Sequence, residues 1–421
     1  MNYDEKEKLH RTSFDDGKEK YILFAVSCGN EEKAEASIKE LEELLKTAGG
    51  ESCAYMIQNI EKPDRTTYIG KGKALELKEM VEFLEADGVV CDDELTPSQH
   101  RNLADILETK VVDRTMLILD IFAKRATTGE GKLQVEMAQL KYRASRLTGK
   151  GTALSRLGGG IGTRGPGETK LETDRRAIQR RLDKLTADVK ALKHVRETTR
   201  KKRLESAAPI VAIVGYTNAG KSTLLNRLTS ADILAEDKLF ATLDPTTRVC
   251  RLPNGREIMF TDTVGFINKL PHQLIDAFRS TLEEAKFADM ILHVIDATSE
   301  DVELHKEVVY DTLKNLGVED KPVVTAFNKI DLLADSRDLP LTDENADAAI
   351  DISAATGKGI NELFAVIENE FREKKVYLEQ VIMYNDQDTL KRIKKYGQII
   401  EEEYTEEGVA IKAYVPPNMI K

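Results

Sequence analysis

The stretch that decides the fold is IVAIVGYTNAGKSTLL, residues 210–225. Residues 210–214 are all apolar and read as a buried strand, while Leu224, Leu225 and Leu228 follow at helical spacing. Between them GYTNAGKST fits Gly-x-x-x-x-Gly-Lys-Ser/Thr in the strand-to-helix setting that the pattern requires. Gly215 and Gly220 permit a loop through Tyr216, Thr217, Asn218 and Ala219 whose N–H groups wrap phosphates at the positive end of a helix dipole. Lys221 is then placed to reach the β- and γ-phosphates and Ser222 to ligate Mg²⁺, with Thr223 beside them. The loop specifies a nucleotide without saying which one.

The segments downstream choose the base. A strand at 257–260 leads into Asp262-Thr263-Val264-Gly265, where an Asp can hold the Mg²⁺ shell and a glycine N–H can meet the γ-phosphate. Strands at 290–295 and 323–327 continue the alternation, the latter ending in Asn328-Lys329-Ile330-Asp331. The Asp331 carboxylate can accept both N–H groups of a guanine edge while Lys329 stacks on the ring. A site built for those hydrogen bonds rejects adenine, because the carboxylate would be left unpaired. Residues 350–352 then enter Ser353-Ala354-Ala355, whose backbone is placed to read the guanine oxygen. Each tetrapeptide alone is a common turn; four in this order and spacing define a GTP/GDP site.

Around this site the chain is acidic, with 421 residues and a net charge of -11, yet the charge is uneven. Residues 141–206 hold 19 Lys/Arg against 7 Asp/Glu, a local +12 that leaves -23 for the remainder. Such a segment suits a phosphate backbone, against the plainer reading of a solvated helix face. Leu133, Met137, Leu140, Ala144 and Leu147 recur at 4-3-4-3 spacing, as do Ile178, Leu182, Leu185, Val189 and Leu192, so two helices pack lengthwise. The glycine-rich, basic stretch between them, 147–176, is too long for an ordinary connection and reads as a flexible hairpin tip. Arg156, Arg164 and Lys170 make it either a polyanion contact or a mobile linker.

The length implies several domains. Residues 1–20 form a polar leader, 21–130 an N-terminal parallel α/β domain, 131–206 the basic hairpin, 207–372 the nucleotide domain and 373–421 a small α+β domain. In the N-terminal domain TTYIGKGK, residues 66–73, is read as a structural turn or as a phosphate or RNA contact. No apolar run approaches the roughly 20 residues of a membrane span, and the charged leader differs from a secretory signal. Cys28, Cys53, Cys91 and Cys250 lack disulfide or zinc spacing, and His272, His293 and His305 fall in no ligand arrangement.

Residues 210–370 resemble a translation-factor-class GTPase domain, and the chain resembles the HflX family of ribosome-associated GTPases nearly end to end. The strings that carry this are YIGKGK at Tyr68, GGGIGTRGPGETKLETDRR at Gly158, GYTNAGKST, LFATLDPTTR at Leu239 and DTVGFI at Asp262. The resemblance implies that Thr242, within Phe240-Ala241-Thr242-Leu243-Asp244, joins the Mg²⁺ shell in the GTP state. Thr242 thus stands with Lys221 and Gly265 among the candidate catalytic residues. Asn218 occupies the position at which related GTPases hold K⁺. The resemblance also implies the 50S ribosomal subunit and its rRNA as partners, release or splitting of stalled ribosomes under stress, a monomer, and a cytoplasmic location, in part peripheral to the membrane. Phe266 stands where Ras-type GTPases place a water-orienting Gln, so hydrolysis is expected to be slow until a partner accelerates it. Two other readings are an RNA-remodelling NTPase with a second nucleotide site at YIGKGK and a tRNA-modification GTPase.

Overall fold

In the computed structural model, residues 17–147, 166–205, 208–229, 240, 246–253, 255, 257–269, 284–318, 320–333, 341–373 and 376–415 are described. Ala241, Thr242, Leu243, Asp244, His272, most of the first-switch string and the tip from 148 to 165 lie outside them. The protein is α/β. One compact unit comprises Met1–Lys190 with Asn268–Phe278, and the other Ala191–Ile267 with Arg279–Lys421.

In the first unit, β1 (Lys20–Ser27), β2 (Glu51–Asn59), β3 (Gly88–Cys91) and β4 (Lys110–Asp113) form an all-parallel sheet of order β2-β1-β3-β4. Helices α1 (Glu31–Ala48), α2 (Lys71–Leu84), α3 (Pro97–Leu107) and α4 (Arg114–Arg125) alternate with these strands. Their starts follow the side chains: Asn30 caps α1 by accepting from Lys33 N–H at 3.0 Å, and Thr96 forms a capping box with Gln99 before Pro97. Phe24, Leu41, Leu77 and Leu103 are fully buried where the sheet meets its helices.

Helix α5 (Gly129–Leu147) buries two faces. Val135, Ala138 and Tyr142 are fully covered, whereas Leu133, Met137, Leu140 and Ala144 of the predicted seam are half-buried. Helix α6 runs from Pro166 to Glu205, so the expectation of a flexible tip reaching residue 176 is corrected: the helix includes Pro166–Arg176. Proline fits a first helical turn, where its missing N–H costs nothing. In α6 Leu185 is fully buried, and Arg181 grips Glu136 of α5 with hydrogen bonds of 2.7 and 2.8 Å.

The second unit holds a six-stranded sheet of order β10-β9-β8-β5-β7-β6. Its strands are β5 (Ile210–Gly215), β6 (Thr246–Arg251), β7 (Glu257–Asp262), β8 (Met290–Asp296), β9 (Val323–Asn328) and β10 (Ala348–Asp351). All pair in parallel except β6, an antiparallel edge strand against β7 that the sequence reading missed. Helices α7 (Lys221–Thr229), α8 (Val302–Asn315) and α9 (Ile360–Glu373) belong to it. A smaller antiparallel sheet, β11 (Val376–Met383), β13 (Gly408–Val415) and β12 (Gln398–Tyr404) in that order, packs on α10 (Gln387–Tyr396). Among the described residues no helix is long and apolar enough to cross a membrane.

Candidate functional site

The carboxyl ends of β5, β7, β8 and β9 gather the sequence motifs on one edge of the six-stranded sheet, where open α/β sheets place ligands. Two glycines are required by the backbone there. At Gly215, φ 155°, a Cβ would lie 2.2 Å from the Val294 carbonyl oxygen, and at Gly220, φ 91°, 2.2 Å from the Asn328 amide nitrogen. Between them the loop turns through Asn218 at φ 61°, an exposed residue, and then enters α7.

Hydrogen bonds tie the motif segments into one constellation. Ser222 Oγ donates to Asp262 Oδ2 at 2.8 Å, joining the loop to the end of β7. Thr217 N–H donates to the Phe266 carbonyl at 2.8 Å, and Phe266 N–H to the Gly215 carbonyl at 3.1 Å. Asn328 Nδ2 donates to the Ala219 carbonyl at 2.9 Å, while its Oδ1 accepts from Ala354 N–H at 2.8 Å. Asn328 therefore braces the phosphate loop against the Ser353-Ala354-Ala355 turn. Ser353 supports that turn, its Oγ accepting from Thr356 N–H at 3.1 Å. Thr263 has a structural bond, its Oγ1 donating to the Ile213 carbonyl at 2.8 Å, and Val264 is buried.

Lys329 adopts φ 66° and pairs with Asp296 at 2.8 Å, which fixes its stem. Asp331 follows in the short 3₁₀ turn Ile330–Leu332 and is exposed. Phe240, φ 56°, is buried, and Thr223 is half-buried on α7. Three contributors escaped sequence reasoning. Arg227 donates to the carbonyls of Ala354 (3.1 Å) and Ala355, Asp296 holds Lys329, and His305 stacks on Tyr216 at 3.8 Å between ring centroids. No local pattern marks them, because each acts across the fold.

The electrostatics suit a phosphate. Lys221 is 6% exposed and donates to the Tyr216 carbonyl at 2.6 Å. Burial pulls its ammonium down to about 8 although Asp262 opposes the shift, so a polyphosphate beside it would restore a favourable charge balance. Thr217 Oγ1 is buried with no hydrogen-bond partner among the described residues. Gly265 lies against this group: a Cβ there would stand 2.9 Å from Thr217 Cγ2 and 3.0 Å from Lys221 Nζ. By contrast the YIGKGK turn is tied into its own domain. Tyr68 is buried with its hydroxyl on Asp93, Gly70 N–H donates to Gln58 at 2.8 Å, and Lys73 pairs with Glu76.

A phosphate-binding loop braced to guanine-type motifs on a parallel sheet defines a P-loop GTPase. Family profiles described as "GTP-binding GTPase N-terminal", "GTP-binding GTPase Middle Region" and "50S ribosome-binding GTPase" match residues 35–123, 125–203 and 210–329. The chain is 56% identical over 401 residues to GTPase HflX of Lacrimispora saccharolytica, covering 95% of this chain and 94% of that protein. It is 41% identical over 387 residues to GTPase HflX of Escherichia coli, covering 91% and 90%. A crystal structure of an SsGBP and GDP complex matches at 28% identity and a TM-score of 0.45, covering 84% of this chain and 98% of that one. The chain belongs to the HflX family of GTPases, and it binds and hydrolyses GTP.

Proposed function

We propose that this GTPase is a Mg²⁺-dependent switch that attaches to the large (50S) ribosomal subunit when loaded with GTP and helps to split or rescue stalled ribosomes. We assign it to the cytoplasm and read it as a monomer. The observation that carries the switch is the hydrogen-bonded closure of the motif segments around Lys221. The match of residues 210–329 to a family described by 50S binding supports the partner. The +12 charge of residues 141–206 supports an rRNA contact by the basic helices and the tip.

In this reading Gly215 to Thr223 cradle the phosphates, Lys221 donates to the β- and γ-oxygens, and Gly265 N–H meets the γ-phosphate. Asp331 accepts from the guanine edge, Lys329 stacks on the ring, and the Ser353-Ala354-Ala355 backbone reads the guanine oxygen. Ser222 and Asp262 are buried oxygen donors 2.8 Å apart, a set that fits Mg²⁺, joined by Thr242 in the GTP state. Bound there, Mg²⁺ would neutralise charge developing on the phosphate oxygens. Asn218 is assigned to K⁺; equal turnover in potassium and sodium salts would remove that assignment.

Phe266 cannot orient the attacking water. Its side chain is apolar and 2% exposed, and both its backbone groups bond to the phosphate loop. Slow intrinsic hydrolysis accelerated by the partner follows. Sedimentation with ribosomes tests the whole: retention with a non-hydrolysable GTP analogue and release with GDP are expected, and equal retention would refute the switch. Deleting residues 152–167 should preserve nucleotide binding and abolish ribosome-stimulated hydrolysis; full stimulation would make the tip a linker.

A further inference from the structure

The phosphate loop and the Asp262 to Gly265 turn lie together in the second compact unit. Several polar side chains of the motif segments have bonds within the protein. Ser222 donates to Asp262 at 2.8 Å, Thr263 to the Ile213 carbonyl at 2.8 Å, and Asn328 is engaged at both ends of its amide. Thr217 differs. It is 7% exposed, and its Oγ1 meets no hydrogen-bond partner among the described residues. A hydroxyl taken out of water without a partner costs stability, so one kept in a phosphate loop calls for a partner that arrives with the nucleotide.

The surroundings of Thr217 say what that partner is. Its N–H donates to the Phe266 carbonyl at 2.8 Å. A Cβ on Gly265 would stand 2.9 Å from Thr217 Cγ2, 3.0 Å from Thr217 Cα and 3.0 Å from Lys221 Nζ. Thr217 therefore lies beside both the Lys221 ammonium and the Gly265 backbone, and its hydroxyl shares a Cβ with the methyl group that faces Gly265. One staggered step about χ1 can put the oxygen where that methyl lies.

We propose that the Thr217 hydroxyl holds the attacking water for GTP hydrolysis, the task that Phe266 cannot perform. The inference rests on the phosphate placement given above, with the γ-phosphate between Lys221 and Gly265. A threonine hydroxyl has one proton to donate and two lone pairs to accept with, so it can accept from the water while donating to a γ-phosphate oxygen. The water oxygen then bonds to the γ-phosphorus as the bond from that phosphorus to the β–γ bridging oxygen breaks. The electron pair leaves with GDP, and one proton of the water passes to a phosphate oxygen. Thr217 keeps its own proton and acts by orientation. It sustains the slow rate of the chain before a partner accelerates it.

Single-turnover hydrolysis by the full chain without ribosomes tests it. Thr217→Val keeps the shape and removes only the hydroxyl, so kcat should fall about tenfold, the worth of one hydrogen bond made in the transition state, with GTP and GDP affinities within about twofold of native. The nucleotide-free variant should unfold at the same or a higher urea concentration, because an unpaired buried hydroxyl is gone. Thr217→Ser should recover most of what valine loses. An unchanged kcat in Thr217→Val overturns the proposal, as does the absence of recovery by serine. So does a loss of GTP affinity at constant kcat, which describes a ground-state phosphate contact, or a fall in unfolding midpoint together with GDP affinity, which describes a hydroxyl bonded within the protein. Should Thr217→Val fail to fold, Thr217→Ala gives the same kcat-against-affinity comparison. Lys221→Met separates this inference from the reading beneath it. When that variant is inactive and Thr217→Val turns over at the native rate, only the water assignment falls; when Lys221→Met itself turns over at the native rate, the phosphate placement falls and the proposal with it.

Discussion

The two larger sheets of this protein put charge at the same place and treat it oppositely. At the carboxyl ends of β3 and β4 stand Asp92, Asp93 and Asp113, and each already has its cation or donor. Arg114 and Lys269 meet Asp92, Lys269 meets Asp93, and Arg146 and the Tyr142 hydroxyl meet Asp113. Burial opposes ionisation of Asp92, but Arg114 and Lys269 hold its carboxyl below the usual range. At the carboxyl end of β5 stands Lys221, whose charge burial disfavours and Asp262 only partly supports. One sheet edge is neutralised by its own chain; the other is poised for an anion supplied from outside. Topology alone does not mark a ligand site, and the charge balance at the strand ends does.

The strongest test of that contrast is base recognition, which we assign to the second sheet. Asp331→Asn should shift the ratio of GTP to xanthosine triphosphate affinity by on the order of 10⁴, since it exchanges the acceptor pair for a donor and an acceptor. Competition binding with both nucleotides reads the ratio; unchanged GTP preference would refute the guanine assignment.

Next come opposite outcomes for two buried cations. Arg114→Met removes a partner from a 1% exposed pair and leaves Asp92 buried, so unfolding in denaturant should lose about 3–5 kcal/mol. Lys221→Met should leave the nucleotide-free protein equally or more stable, because it removes a buried charge, yet should lower kcat by about 10²–10³. Equal destabilisation by both would erase the contrast. ATP turnover surviving in the Lys221 variant would revive a second nucleotide site in the N-terminal domain.

What the sequence disclosed follows the same division. The phosphate loop, Asp262 to Gly265 and Asn328 to Asp331 stood out because each is a short run of consecutive residues at the end of a largely apolar strand, and the structure brings them to one sheet edge. The role of Asn328 was less legible: the sequence placed it in the motif without a task of its own, and its amide braces Ala219 to Ala354. Strand β6 went unread because on this edge only Cys250 is buried, so TTRVCR lacks a clear apolar face, although Asn254-Gly255 is a hairpin signal. The start of α6 was masked by the glycines before Pro166. The pair of Lys269 with Asp92 spans 177 positions, a separation over which no local pattern operates.

The smallest expected effect concerns a buried polar group that neither sheet edge uses. His293 on β8 is 1% exposed, with Asp343 3.7 Å away, Tyr310 edge-on at 5.4 Å and the Lys306 charge nearby. Burial lowers its pKa, outweighing Asp343, so the folded protein keeps the ring neutral while the unfolded chain protonates near 6.5. Below that value the unfolded state binds the extra proton, and stability is lost as pH falls, by about 1.4 kcal/mol per unit until the folded ring itself titrates. Asp343 cannot cause a loss in this window: burial pushes its carboxyl up, but His293, Thr325 and Tyr310 outweigh that and hold it well below the ordinary carboxylate range. Urea unfolding at pH 7.5, 6.5 and 5.5 should show the decline in the native chain and a flatter profile in His293→Asn. If both slopes are the same, the decline belongs to other groups and His293 is silent in this range.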